Sequence, residues 1–231
     1  MSGMAKKKRI FAAAFMLLAL ASAYAQESAA LSPGQKFFFE TVAGRRSVRS
    51  YTGGEVSDAH LAMILDAARL APTSGNQQPW KFLVVRDPAK RESLKKACLE
   101  GGTIRIQTAA GLTEAQKQEK LKALQRYYDT CFSAPLFVVV LVDRQSKYPD
   151  YNRYDGPLAA AHLMLAARAL GYGTVFYTDT IPEEATRKVL QIPERYERVC
   201  ITPIGIPAEW PKAPAKKDLS EFVLVDGFPA R

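Results

Sequence analysis

The sequence predicts one α/β or α+β domain built on a central sheet. Three observations carry this. Leu136–Val142, LFVVVLV, is apolar at every position, as a strand covered on both faces should be. Ser57–Leu70 repeats Leu61, Ile64, Leu65 and Ala68 at helical spacing. Short apolar runs alternate with such helices along the chain, the pattern of a layered sheet-and-helix domain.

The elements follow in order. Gln35–Ala43 reads as a short helix carrying Phe37, Phe38, Phe39 and Val42. Ser57 is placed to cap the helix that ends before Pro72. Pro72–Pro79 is a polar loop by its turn residues, and Lys81–Val85 a strand closed by Asp87-Pro88. Ala89–Glu100 is predicted as a helix stopped by Gly101-Gly102. Thr113–Thr130 is predicted as another, opened by a capping box of Thr113 and Gln116. Asp155–Leu170 is the longest apolar helix, with Asp155 as its cap, Pro157 in its first turn and Gly171 at its end. Gly173–Thr178 reads as a strand, Thr180 as the cap of a helix running through Glu183 to Leu190, and Val199–Ile204 as a strand. Phe222–Val225 is a last predicted strand, reached by the basic, proline-containing arm Pro207–Lys217 and placed to pair with a partner chain.

The chain has 231 residues, 48% hydrophobic and 24% charged, which excludes a disordered tail, a collagen-like repeat and a polytopic membrane protein. Lys6, Lys7, Lys8 and Arg9 precede the apolar run Ile10–Ala23, and Ala23-Tyr24-Ala25 forms a small-x-small cleavage site before Gln26. This is the pattern of a secretory signal peptide over residues 1–25. The apolar run falls short of the ~20 residues a membrane span needs, so a membrane association is expected only if the segment stays uncleaved. The expected location is therefore periplasmic or extracellular. Lys8-Arg9-Ile10-Phe11 also resembles a twin-arginine signal with Lys for the first Arg, beside the plain secretory reading. Residues 26–34 form a flexible lead-in and residues 35–231 the folded domain. Removing the four leading basic residues from the 32 leaves 28 against 23 acidic, a net charge of +5. That suits an anionic ligand and does not by itself indicate nucleic acid.

Cys98, Cys131 and Cys200 show no metal-ligand spacing, and any disulfide among three leaves at least one unpaired. His60 and His162 lie inside helical patterns, so a histidine metal site or a Ser-His-Asp triad is poorly supplied.

Four stretches carry chemistry. In Gly44–Arg49, alternate residues Arg45, Ser47 and Arg49 share one side of an extended segment, and two guanidinium groups with a hydroxyl suit a phosphate. A solvated basic turn is the competing reading. Ala71–Trp80 gathers hydroxyls and amides able to satisfy the edge of a heteroaromatic ring; an ordinary turn is the alternative. Leu170–Asp179 matches neither a dinucleotide-binding glycine motif nor a P-loop. Lys216-Lys217 alone reads as surface charge.

Taken in order, RRSVR at 45–49, APTSGNQQPWKF at 71–82, AARALGYGT at 166–174 and ITPIG at 201–205 resemble the nitroreductase family of FMN-dependent oxidoreductases. The resemblance spans about Gln35–Val225. It implies an α+β nitroreductase-like fold, a central, mainly antiparallel sheet flanked by helices, in an intertwined homodimer with FMN at the subunit interface. It also implies that Arg45, Ser47 and Arg49, with Arg46 alongside, contact the phosphate and ribityl chain. Pro72, Thr73, Ser74 and Asn76 approach the flavin from the other subunit. Phe176, Tyr177, Thr178 and Asp179 match the segment against the isoalloxazine, with a backbone N–H near Thr178 facing N5. Lys217, with Lys216, matches the basic position completing the phosphate site. No side chain acts as nucleophile or base, because the flavin carries the redox step. The implied activity is a ping-pong two-electron reduction: a donor reduces FMN, then a nitroaromatic or quinone-like small molecule is reduced. NAD(P)H is one candidate donor, with a different physiological donor as the alternative because free nicotinamide cofactors are scarce outside the cytoplasm. Reductive dehalogenation or flavin-consuming chemistry on the same scaffold is the runner-up, with Tyr127, Tyr128 and Phe132 as candidate lid residues or, equally, core. A non-enzymatic, polyanion-binding basic protein is a third reading, which predicts colourless protein with salt-sensitive nucleic-acid binding.

Overall fold

The structure is a computed structural model that describes residues 30–228. The predicted signal segment, residues 1–25, lies outside the described residues. The chain divides into two units, Gly44–Lys212 and the terminal segments up to Ala43 and from Ala213.

In the larger unit, β1 (Trp80–Val85), β2 (Leu136–Asp143) and β3 (Tyr196–Ile204) form an antiparallel sheet in the order β1-β2-β3. β2 is central, pairing Phe82 with Val140 on one side and Val138 with Thr202 on the other. Successive strand residues face opposite sides, and β2 shows the consequence. Phe137, Val139 and Leu141 enter one core, with Leu94 and Cys98 of α3 (Pro88–Thr108), Tyr128 and Cys131 of α4 (Glu114–Cys131), and Val175 and Tyr177. Leu136, Val138 and Val140 enter the other, with Leu61, Ile64 and Ala68 of α2 (Asp58–Arg69) and Ala160, Leu163 and Ala167 of α5 (Asn152–Ala169). The run that read as buried on both faces separates two helical layers. The result is an α+β arrangement, a small antiparallel sheet with helices packed on both faces.

Several boundaries follow their caps. The Ser57 hydroxyl accepts from His60 N at 3.2 Å. Thr113 and Gln116 form the reciprocal capping box, at 2.9 and 3.3 Å. Four expectations are corrected. α3 does not stop at Gly101-Gly102 but runs to Thr108. A Cβ on Gly102 would come within 2.7 Å of Leu124 in α4, so the glycine there permits a close helix crossing rather than an end. α5 begins at Asn152, not at Asp155. Asp155 sits inside the helix because its carboxylate is taken by the 72–79 loop (below). Gly173–Thr178 makes isolated bridges at Gly173, Thr174 and Tyr177 rather than a strand. Thr180 does not cap α6 (Glu183–Leu190): Pro182 precedes that helix, and the Thr180 carbonyl accepts from the Tyr128 hydroxyl at 2.6 Å.

The terminal unit contains α1 (Pro33–Gly44, whose last residue opens the larger unit) and a turn at Leu219–Glu221. Asp218 caps the turn through Ser220 N at 2.9 Å. Phe222–Val225 is not a strand in this chain: Phe222 N and Val223 N both turn back to Leu219 O, and all four side chains are exposed. Phe37, Phe38, Phe39 and Val42 on α1 are exposed too.

Among the described residues no helix is long and apolar enough to cross a membrane, and no cluster of metal-ligating side chains exists. All three cysteines are buried free thiols. Burial pushes Cys98 and Cys200 up to about 12 and Cys131 to about 11. His60 Nδ1 lies 2.8 Å from the Tyr172 hydroxyl and His162 Nδ1 3.3 Å from Ala67 O, both structural contacts.

Candidate functional site

The basic segment is extended, as the alternation required. Val48, the residue between Ser47 and Arg49, is 1% exposed and packs inward, so its neighbours face the other way. Ser47 bridges to Thr174 in parallel, and Val48 N donates to Thr174 O at 2.9 Å. Gly173 lies so close that a Cβ there would meet all three of Val48's outer carbons at 2.7–2.8 Å. The Tyr51 hydroxyl holds the Val48 carbonyl from below at 2.7 Å. Arg49 donates to Ser47 O at 3.1 Å and Arg46 to Arg45 O at 2.8 Å. Among the described residues, the Arg45 guanidinium and the Ser47 hydroxyl have no hydrogen-bond partner. That donor set is matched to a dianionic phosphate, so the residues fit the phosphate end of FMN.

Thr174 leads directly into the segment Phe176–Asp179, so the two stretches are joined through one bridge. Phe176, Thr178 and Asp179 are exposed, whereas Tyr177 is 3% exposed. The Tyr177 side chain therefore faces the core, where its hydroxyl meets that of Tyr127 at 2.9 Å, and its backbone N–H and C=O are both paired with Ile201, at 3.1 and 3.0 Å. Burial, with the neighbouring thiol of Cys131, raises the Tyr177 phenol well above its ordinary range, so it stays neutral. The N–H groups of Thr178 and Asp179 have no acceptor among the described residues. The Thr178 hydroxyl contacts the Asp179 carboxylate at 3.2 Å.

The loop Pro72–Pro79 is held in one shape. Thr73 is extended, Ser74–Asn76 forms a single 3₁₀ turn, and Gly75, Asn76 and Gln78 have φ of 55°, 53° and 48°. Asp155, 2% exposed, is the anchor. It accepts from Ser74 N at 3.1 Å, from the Ser74 hydroxyl at 3.4 Å and from Gln77 Nε2 at 2.7 Å. Gln77 completes a reciprocal pair with the Tyr148 backbone, at 2.7 and 3.0 Å. These bonds go to α5 and the turn before it, and none goes to 45–49 or 176–179. Pro72, Thr73, Ser74 and Asn76 are thus displayed as a separate rigid edge. Lys216 and Lys217 belong to the terminal unit, where Lys217 pairs with Glu221 at 3.2 Å.

Sequence reasoning missed the residues that hold these stretches. Arg198 of β3 donates to Ile181 O at 2.7 Å, to the Thr186 hydroxyl at 3.0 Å and to Thr178 O. The Arg168 guanidinium stacks 3.9 Å over Trp210, and a Cβ on Gly44 would come within 2.8 Å of it. A lone arginine in a strand carries no motif, so Arg198 had no detectable signal; Arg168 lay inside the AARALGYGT stretch without being singled out, and Asp155 carried a signal that was read as a cap. Of the candidate lid residues, Tyr128 and Phe132 are core, and Tyr127 is partly buried against it. A cavity of about 390 Å³ between α2 and β1, lined by Leu65, Arg69, Trp80 and Phe82 among others, contains none of the predicted site residues.

Residues 42–206 match the Nitroreductase family. A protein of Archaeoglobus fulgidus provisionally named NADH dehydrogenase/NAD(P)H nitroreductase is 35% identical over 170 residues, 71% of this chain and 82% of its own. Iodotyrosine deiodinase 1 of Rattus norvegicus is 25% identical over 198 residues, 81% and 68% of the two chains. The solved structure of an FMN-dependent nitroreductase from Clostridium difficile R20291 superimposes with a TM-score of 0.61 at 29% identity, covering 82% of this chain and 99% of that one.

Proposed function

The chain belongs to the Nitroreductase family, an FMN-dependent oxidoreductase by that membership, and from this premise we propose an exported homodimeric enzyme that reduces nitroaromatic or quinone-like small molecules with electrons from NAD(P)H. The observation that carries the reading is the pairing of two donor sets through the Ser47–Thr174 bridge. One is cationic, with the Arg45 guanidinium and the Ser47 hydroxyl unpartnered among the described residues, and the other is neutral, the N–H groups of Thr178 and Asp179. A phosphate needs the first and the edge of an electron-accepting ring the second.

Bound FMN would supply the redox chemistry, accepting a hydride from the donor and delivering two electrons to the acceptor. The chain's own part is positional. Arg45, Ser47 and Arg49, with Arg46, would hold the phosphate and ribityl chain. Phe176–Asp179 would lie along the ring. Pro72, Thr73, Ser74 and Asn76, fixed away from the basic segment of their own chain, would serve the site of a second subunit. The exposed Phe222–Val225 arm, without a strand partner among the described residues, supports the dimer. Export follows from residues 1–25, which also limit any membrane contact to an uncleaved leader. Membership in an oxidoreductase family replaces the non-enzymatic polyanion reading.

The test is the visible spectrum of purified residues 26–231 with identification of any released chromophore, followed by anaerobic stopped-flow. Yellow protein releasing FMN, reduced by NAD(P)H and reoxidised by a nitroaromatic or quinone, is the expected result. Colourless protein that binds no added FMN would refute the site. Reduced flavin that no such acceptor reoxidises would refute the substrate class. The similarity to a deiodinase supports dehalogenation as the second reading; halide release from an iodinated phenol in the same assay would favour it.

A further inference from the structure

In the segment 177–181 the carbonyls of Tyr177, Thr178, Thr180 and Ile181 turn inward. The Tyr177 carbonyl accepts from Ile201 N at 3.0 Å. Those of Thr178 and Ile181 accept from the Arg198 guanidinium, and that of Thr180 from the Tyr128 hydroxyl. No cis peptide bond occurs among the described residues. In a trans peptide unit the N–H points opposite to the C=O. The inward carbonyls of Tyr177 and Thr178 therefore send the N–H groups of Thr178 and Asp179 outward; both residues are exposed, and neither N–H has an acceptor among the described residues. Only the first of these carbonyls is fixed by the sheet; the second is fixed by one side chain.

Arg198 suits that task. Its fork reaches three acceptors, Thr178 O, Ile181 O and the Thr186 hydroxyl, and Thr186 in turn donates to Pro182 O at 2.9 Å. No carboxylate lies within ion-pair distance of it among the described residues, although Asp179 and Glu183 are near enough to interact with its charge. Its charge is thus met chiefly by carbonyl dipoles, directly behind the Thr178–Asp179 peptide. A cation there polarises that peptide and strengthens its N–H as a donor.

We propose that Arg198 is a positioning residue for the redox site: it fixes the Thr178–Asp179 peptide with its N–H toward the ring and lends it charge. The proposal rests on the FMN reading above. A donor fixed at the ring edge favours the flavin more once it has gained electrons, so Arg198 should raise the reduction potential as well as hold the loop.

The experiment compares wild type, Arg198→Lys, Arg198→Gln and Arg198→Met as FMN-loaded proteins. FMN affinity is measured by fluorescence titration, the two-electron midpoint by dye equilibration, and thermal stability alongside. Arg187→Met is the control. Arg187 clamps the carbonyls of Ile192, Pro193 and Tyr196 in the same manner, but at the other end of α6. Arg198→Gln and Arg198→Met should lose about tenfold in preference for reduced over oxidised FMN, a midpoint lower by about 30 mV. Arg198→Lys, with the charge but not the fork, should fall between. Arg187→Met should lose stability and keep its midpoint. If Arg198→Met does not fold, the Gln and Lys variants decide. A wild-type midpoint in the Gln variant overturns the proposal and leaves the FMN reading standing, whereas a wild-type protein that binds no FMN overturns both.

Discussion

Gly173→Ala tests how the phosphate-binding stretch is held. Gly173 is not at positive φ, so alanine meets no backbone obstacle there. The obstacle is space, because the new methyl would stand 2.7–2.8 Å from three carbons of Val48, well inside van der Waals contact. Val48 is 1% exposed and cannot swing into solvent, so relief requires moving the 45–49 backbone and straining the Val48 N to Thr174 O bond. Overpacking of this kind costs about 1–3 kcal/mol. The displacement carries Arg45, Ser47 and Arg49 with it, and FMN should bind at least tenfold more weakly, about 1.4 kcal/mol. Val48→Ala alone removes two buried methyl groups and should cost about 2 kcal/mol in stability. In the double variant the alanine methyl at 173 occupies space the valine has left. The two costs should then fail to add by about 1–2 kcal/mol, and FMN affinity should return toward that of Val48→Ala. Urea unfolding and flavin-fluorescence titration of the four proteins complete the cycle. Additive stabilities, or a Gly173→Ala protein with unaltered FMN affinity, would refute the claim that this contact sets the segment's position.

Three other expectations concern other parts of the site and core. Arg45→Ala and Arg49→Ala should each weaken FMN binding by about 1.5–3 kcal/mol, the value of a charge-assisted bond, and the loss should shrink as salt rises; equal affinities in titrations at low salt would contradict the phosphate assignment. Asp155→Ala leaves Ser74 N and Gln77 Nε2 without their acceptor and should cost about 1–3 kcal/mol on thermal denaturation, with proteolytic cleavage appearing in 72–79; an intact, equally stable loop would show that Asp155 is not its anchor. The three thiols, raised to about 11–12 against 9.0 when free, favour the folded state only while protonated. Stability should be level below pH 9 and fall between pH 9 and about 12, and a Cys98→Ala, Cys131→Ala variant should show a shallower fall; a thiol reagent that labels the native protein fully at pH 8 would contradict this burial.

What could be read in the sequence was whatever announces itself through neighbours along the chain. β2 was legible because being covered on both faces demands an apolar residue at every position, and α2 and α4 because their caps lie within three residues of what they cap. The basic segment was legible because an extended chain sorts its side chains by parity, and Val48 falls on the inward parity between Ser47 and Arg49. The misreadings share one physical origin: a residue whose local signal was outweighed by a distant partner. Gly102 reads as a stop until Leu124 needs its space, and Asp155 reads as a cap until Ser74 and Gln77, nearly eighty residues earlier, claim its oxygens. Phe176–Asp179 shows the limit most clearly. The resemblance set the whole segment against the ring with a backbone N–H near Thr178 facing N5, yet Tyr177 turns into the core, and a backbone N–H is a group that every residue but proline carries. Backbone direction leaves no mark in the residues that display it. It is set here by the arginine that holds the carbonyl, twenty positions away on β3, so the resemblance could place a backbone donor near Thr178 but not the residue that aims it.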